Sequence, residues 1–159
     1  MIEFNPGLIM VLGGFLVPLV SGQARRALLL VLPIVGLAYT IMLDPGAAAA
    51  TAFFGYSLEH LRVDKLSLVW GYIFHIAAFL VVLYAIHEDD PLQASMAQVY
   101  MGSAVAAVFA GDLITLFVFW EVTAISSVFL IWATGTERSF RTGMRYLIIQ
   151  VGSGVLLLA

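Results

Sequence analysis

The chain has 159 residues, of which 62% are hydrophobic and 11% charged, with a formal net charge of −3 and a mean hydropathy of +1.04. A soluble domain carries about a quarter charged residues, so this composition excludes an ordinary soluble fold and points to an integral membrane protein. The charges gather in short segments between apolar runs and form no basic face for nucleic acid. Cysteine is absent, which excludes disulfides, thiolate chemistry and Cys-ligated metal, and His60, His75 and His87 lack metal-ligand spacing. No cofactor is implied.

In chain order, the opening Met-Ile-Glu-Phe-Asn-Pro has no basic segment ahead of the first apolar run, which predicts a retained helix and not a cleaved signal peptide. A bilayer core of about 30 Å takes about 20 helical residues to cross. The apolar runs predict an all-α, polytopic chain of six transmembrane helices near 7–22, 27–43, 66–86, 95–111, 113–133 and 141–159. Pro18 and Pro33 fall inside the first two, where membrane neighbours can satisfy the freed carbonyls, so kinks are expected and not breaks. Gln98 and Ser103 interrupt the fourth run, and only Gly111-Asp112 parts it from the fifth, which implies a tight turn between the two helices. No repeat or low-complexity linker divides the chain, so residues 1–159 read as a single transmembrane domain.

The basic residues set the expected orientation. With the N-terminus extracytoplasmic, Arg25, Arg26, Arg138, Arg141 and Arg145 lie on the cytoplasmic side and Arg62 and Lys65 on the other. The acidic run His87-Glu88-Asp89-Asp90 is then cytoplasmic, although acids contribute little to this rule. Between the second and third helices, Tyr56 and Leu58, then Leu61 and Val63, alternate with polar neighbours. That pattern suits a short extracytoplasmic hairpin with one half-buried face, and a plain amphipathic loop fits it equally.

The fifth run, Leu113 to Ala133, contains one carboxylate, Glu121, and no basic residue. A charge at bilayer depth costs about 3 kcal/mol or more, so an intramembrane acid is a functional-site hypothesis by default. At 100° per residue Asp112, Thr115, Thr123, Ser126 and Ser127 share one arc, while Glu121 lies opposite among Ile114, Phe117, Ile125, Val128 and Trp132. Its own helix offers no partner, so the acid meets a group from another helix or is neutral, as desolvation favours. Either state suits a proton carrier. The alternative is a buried hydrogen bond that only fixes helix packing.

Other polar groups are less specific. His75, in the middle of the third run, has the chemistry of a proton relay or of a core histidine satisfied by a neighbour. Gln150 extends a polar path or bonds across an interface. The Thr115 and Ser126 arc and Gly152-Ser153-Gly154 read as helix-packing surface. Arg138 and Arg141 read as positive-inside anchors, whereas Arg145 is deeper and within reach of the Glu121 neighbourhood. No Ser/His/Asp set, phosphate-cradling loop or acid pair assembles a catalytic site. Transport or assembly is the residual class.

The stretch Gly111 to Ile131, with its Trp120-Glu121 pair, resembles the fifth helix of the antiporter-like subunits shared by respiratory complex I, Mrp-type sodium/proton antiporters and membrane-bound hydrogenases. Leu16-Val17-Pro18-Leu19, Arg62-Val63-Asp64-Lys65-Leu66-Ser67 with Tyr84, and Arg145-Tyr146-Leu147-Ile148 agree in order and spacing. Together they cover most of the chain, and among the branches it is most similar to the Mrp D-type subunit. The resemblance implies a proton-translocating membrane subunit in which Glu121 works with a lysine on a seventh helix. Family members carry further helices, some broken, and this sequence stops inside its sixth run. A truncated chain, or one half of a split subunit whose partner carries the missing helices, is therefore expected. Asp112 stands where such subunits usually carry a neutral amide, and Arg145 where they commonly carry lysine; an arginine stays protonated and tunes Glu121 electrostatically without relaying.

The expected function is thus membership of a multi-subunit sodium/proton antiporter in the cell membrane, carrying protons through Glu121. Asp112, His75, Arg145 and Gln150 are its candidate proton-path or electrostatic partners. Its expected ligands are protons and sodium, and its partners other membrane subunits and the lipid bilayer. One alternative is the proton-pumping branch driven by quinone reduction or by a hydrogenase, and the other is a non-transporting assembly role.

Overall fold

The computed structural model describes residues 3–53 and 55–159. Its elements are α1 (Gly7–Leu16), continued by a 3-10 turn (Val17–Leu19), α2 (Gly22–Ile41), strands β1 (Ala48–Phe53) and β2 (Tyr56–Arg62), α3 (Lys65–Tyr84), α4 (Pro91–Val108), α5 (Leu113–Trp132) and α6 (Glu137–Leu158). The fold is mostly helical, as the apolar runs predict. Among the described residues three helices, α2, α3 and α5, are long and apolar enough to cross a membrane by length and composition. Gly7–Leu19 is a shorter apolar helix, α4 carries Gln93, Ser95, Gln98 and Ser103, and α6 opens on Glu137, Arg138, Arg141 and Arg145.

Helix boundaries follow the caps. Asp90 accepts from the N–H groups of Leu92 and Gln93 (2.9 and 3.3 Å) with Pro91 in the first helical position. Thr136 accepts from the Ser139 N–H at 3.0 Å. Both α4 and α6 therefore start four residues ahead of the 95 and 141 read from hydrophobicity, because a cap satisfies first-turn N–H groups whatever the polarity of that turn. α2 likewise starts at Gly22 and carries Arg25 and Arg26 in its first turns. At the other end, α4 stops at Val108 instead of 111: the Phe109 carbonyl accepts from the Arg62 N–H (2.8 Å) and the Gly111 N–H donates to the Glu59 carbonyl (2.9 Å). α1 stops at Leu16 instead of 22, tightening into the 3-10 turn around Pro18 before Val20 turns extended.

Strands β1 and β2 pair antiparallel, which agrees with the hairpin reading of that segment. The register runs Ala49 with Leu61 and then Ala50 with Glu59, so His60 is an extra residue in β2. Such a bulge shifts the side-chain alternation by one, which accounts for the change of parity from Tyr56 and Leu58 to Leu61 and Val63. Leu61 and Val63 are fully buried with Leu43, Leu68, Val105 and Phe109. Asn5 ties the chain start to this end, its amide donating to the carbonyls of His60 and Ala106 (both 2.9 Å). Arg62 and Lys65 lie at the hairpin end, whereas α2 and α6 begin at the opposite end, where Arg26 pairs with Asp89 at 3.2 Å on the surface.

α4 is the inner helix, packed on α1, α3 and α5. Its polar side chains face inward and repair the two proline sites. Pro33 leaves the Leu29 carbonyl without its helical donor, and the buried Gln98 amide donates to that oxygen at 2.7 Å. Pro18 does the same to Gly14, whose carbonyl accepts from the Val17 N–H and from the Ser95 hydroxyl at 2.8 Å. Gln98→Leu is expected to cost about 1–3 kcal/mol, the range for stranding a buried acceptor. Pro33→Ala in that background is expected to recover part of it by restoring the N–H, and paired unfolding midpoints in detergent measure both.

Candidate functional site

Glu121 lies in the middle of α5 on the stripe facing α6. The register between these antiparallel helices is set by three contacts. A Cβ on Gly143 would meet Trp132, the Ser127 hydroxyl bonds the Tyr146 hydroxyl at 3.0 Å, and a Cβ on Gly154 would meet Glu121 Oε1 and, at 3.1 Å, the Phe117 ring. Gly143 and Gly154 are the buried residues of α6. The opposite side of α5 faces α4, where Thr123 bonds Ser103 at 2.8 Å. The two-faced reading of α5 places Glu121 correctly, although Ser127 reaches α6 and not α4.

The Glu121 carboxyl therefore sits in the seam between α5 and α6, with Oε1 buried and without a hydrogen-bond partner among the described residues. A buried oxygen with no donor forfeits its hydration and gains nothing in return.

The other sequence candidates are not gathered around it. Asp112 is nine residues away on the same helix, about 13 Å at 1.5 Å per residue. It caps α5, accepting from the Thr115 N–H (2.8 Å) and hydroxyl (2.7 Å), and takes the Glu59 N–H of β2 at 2.6 Å. Arg145 is exposed and nine residues along α6 from Gly154, again about 13 Å. Gln150 is half-buried on the α5-facing stripe, one turn from Gly154. His75 is fully buried in α3, behind α4; its Nδ1 bonds the Gly71 carbonyl at 2.7 Å, and its Nε2 lies against Gly36 of α2 without a partner among the described residues. Among the described residues three buried side-chain atoms thus lack a partner: Glu121 Oε1 between α5 and α6, His75 Nε2 against α2, and Gln98 Oε1 on the inner helix α4. Gly154 and Phe117 lie against each other at the Glu121 carboxyl; the sequence signal for the glycine was Gly152-Ser153-Gly154, which marks close approach without saying to what.

Burial works against the Asp112 charge, but the bonds from Thr115 and Glu59 outweigh it and hold the carboxyl below the usual aspartate value. The charged form is the bonded one, so its stabilisation is present at neutral pH and lost as pH falls through that lowered value. Asp112→Ala is expected to cost about 0.5–2 kcal/mol, the range for a lost N-cap, and to remove this acid-dependent part of a stability-against-pH curve.

Residues 110–159, which hold α5, Glu121 and α6, match the family model described as NADH:quinone oxidoreductase/Mrp antiporter, TM. Over this stretch the sequence resembles that antiporter family. Over 101 residues, 60% of the chain, it is 35% identical to the A/B component of a "Probable K(+)/H(+) antiporter" of Rhizobium meliloti. Over 105 residues, 61% of the chain, it is 33% identical to "Putative antiporter subunit mnhA2" of Staphylococcus epidermidis. An uncharacterized protein of Methanocaldococcus jannaschii is 37% identical over 57 residues, 35% of the chain. The matched stretches make up 10%, 13% and 12% of these relatives, so the chain spans a small part of their length. Together with its apolar helices, the likeness places it in a membrane.

Proposed function

We propose that the chain is a proton-translocating part of a multi-subunit cation/proton antiporter, with sodium as the coupling cation, in the cell membrane and with the hairpin end extracytoplasmic. The observation that carries this is the Glu121 carboxyl, mid-helix in α5, with Oε1 buried and no partner among the described residues. Approach of a positive group from outside the described residues favours the carboxylate, and its withdrawal favours the protonated acid. Alternation of the two moves a proton past the middle of α5.

In this reading the five arginines face the cytoplasm, and Asp112 holds the other end of α5 in register with the hairpin. His75 and Gln150 serve as further polar stations and Arg145 as a fixed positive charge at the cytoplasmic end. Other membrane subunits of the antiporter complex are its partners in this reading. The D-type subunit is the proposed branch, while the A/B and mnhA2 names of the relatives favour an A-type reading as the second.

Native mass spectrometry of the gently solubilised complex, combined with infrared difference spectra across a pH step, tests the proposal. Antiporter-type companions and a protonated-carboxyl band that shifts on isotopic labelling of glutamate are expected. Redox companions would move the chain to the quinone-reductase or hydrogenase branch, and the absence of any titrating carboxyl would favour an assembly role.

A further inference from the structure

We propose that Gly154 is a positioning residue for the Glu121 carboxyl, an inference that rests on the reading of Glu121 as the proton carrier. α6 presents two glycines within three residues, and their surroundings differ. A Cβ on Gly152 would meet nothing within 4 Å, whereas one on Gly154 would run into Glu121 Oε1 and touch Phe117 at 3.1 Å. Gly154 is buried and Gly152 is not. The missing methyl at 154 is therefore the volume that the carboxyl occupies. Phe117, one turn earlier on α5, closes the site on that side, and the Ser127–Tyr146 bond and the Trp132–Gly143 contact fix the rotation and height of α6.

The sense of the effect follows from side-chain length. Any side chain at 154 drives the carboxyl out of the seam or drives α6 off α5, and in both cases the acid no longer stands where the cation of the carrier reading meets it. Misplacement of a reacting group by about 1 Å costs on the order of a hundredfold in rate. A shorter acid gives back the space.

The test uses the intact complex in proteoliposomes, with the rate and pH profile of proton movement as the readout. Gly154→Ala is expected to slow transport on the order of tenfold to a hundredfold and to displace its pH profile, with Gly152→Ala unchanged. Alanine is the better helix former at both positions, so helix propensity does not account for the difference. Glu121→Asp is expected to slow the native protein but to speed, or leave unchanged, the Gly154→Ala variant. If Gly154→Ala fails to assemble, the double variant is expected to assemble; its failure would overturn the proposal. A native rate and pH profile for Gly154→Ala, with Glu121→Gln inactive, would also overturn it while leaving the carrier reading intact. An active Glu121→Gln would instead sink the carrier reading itself.

Discussion

Replacing Glu121 by glutamine is expected to reduce proton transport by the intact complex to that of vesicles lacking it, while the complex still assembles. Glutamine has nearly the same shape and does not titrate, so it retains the packing against Gly154 and Phe117 and removes only the proton. The two roles for this acid separate here. If the carboxyl existed to fix helix packing through a hydrogen bond, the bond would be present in the chain and its loss would lower stability; Oε1 has none among the described residues. The carrier reading predicts lost transport with a near-native unfolding midpoint. The packing reading predicts retained transport with a lowered midpoint, and retained transport at a near-native midpoint would support an assembly role.

α5 was legible to within a residue because its polar marker, Asp112, is also its cap, and because an uninterrupted apolar run admits one register. Where polarity and helicity diverge, hydrophobicity alone missed the boundary: the first turns of α2, α4 and α6 are polar, yet capping and chain geometry make them helical. Gln98 shows the same limit from the other direction. It reads as an interruption of an apolar run, but it is the donor that the proline in α2 requires, and no single-helix pattern announces a bond to another helix. The hairpin was half legible: alternation was visible on both sides of His60, and its change of phase was the mark of the bulge. The acid itself stood out by cost, while its seat did not, because a glycine carries no sign of which neighbour fills its missing side chain.

The largest effect on folding is expected at Gly102. A Cβ there would lie 2.7 Å from the Val11 nitrogen, 2.8 Å from the Met10 Cβ and 2.9 Å from the Gly7 oxygen. Two of these three are backbone atoms of α1, so no rotamer change can make room and the helices must separate. Gly7 meets α4 in the same way, against the Gly102 oxygen and Ala106, and Gly14 meets Val99 and Ser95. The crossing is thus built from small residues along its length, as membrane helix pairs require for close approach. Separation would also stretch the Ser95 bond to the Gly14 carbonyl and the Asn5 bond to the Ala106 carbonyl, and Asn5 in turn holds the hairpin through His60. Overpacking a tight site costs about 1–3 kcal/mol and occasionally more, and loss of these linked bonds puts Gly102→Leu at about 3 kcal/mol or above. Gly152→Leu, facing open space, is expected to leave the unfolding midpoint unchanged. A detergent unfolding titration of the two leucine variants side by side checks both, and equal midpoints would mean that α1 is not clamped to α4 as described.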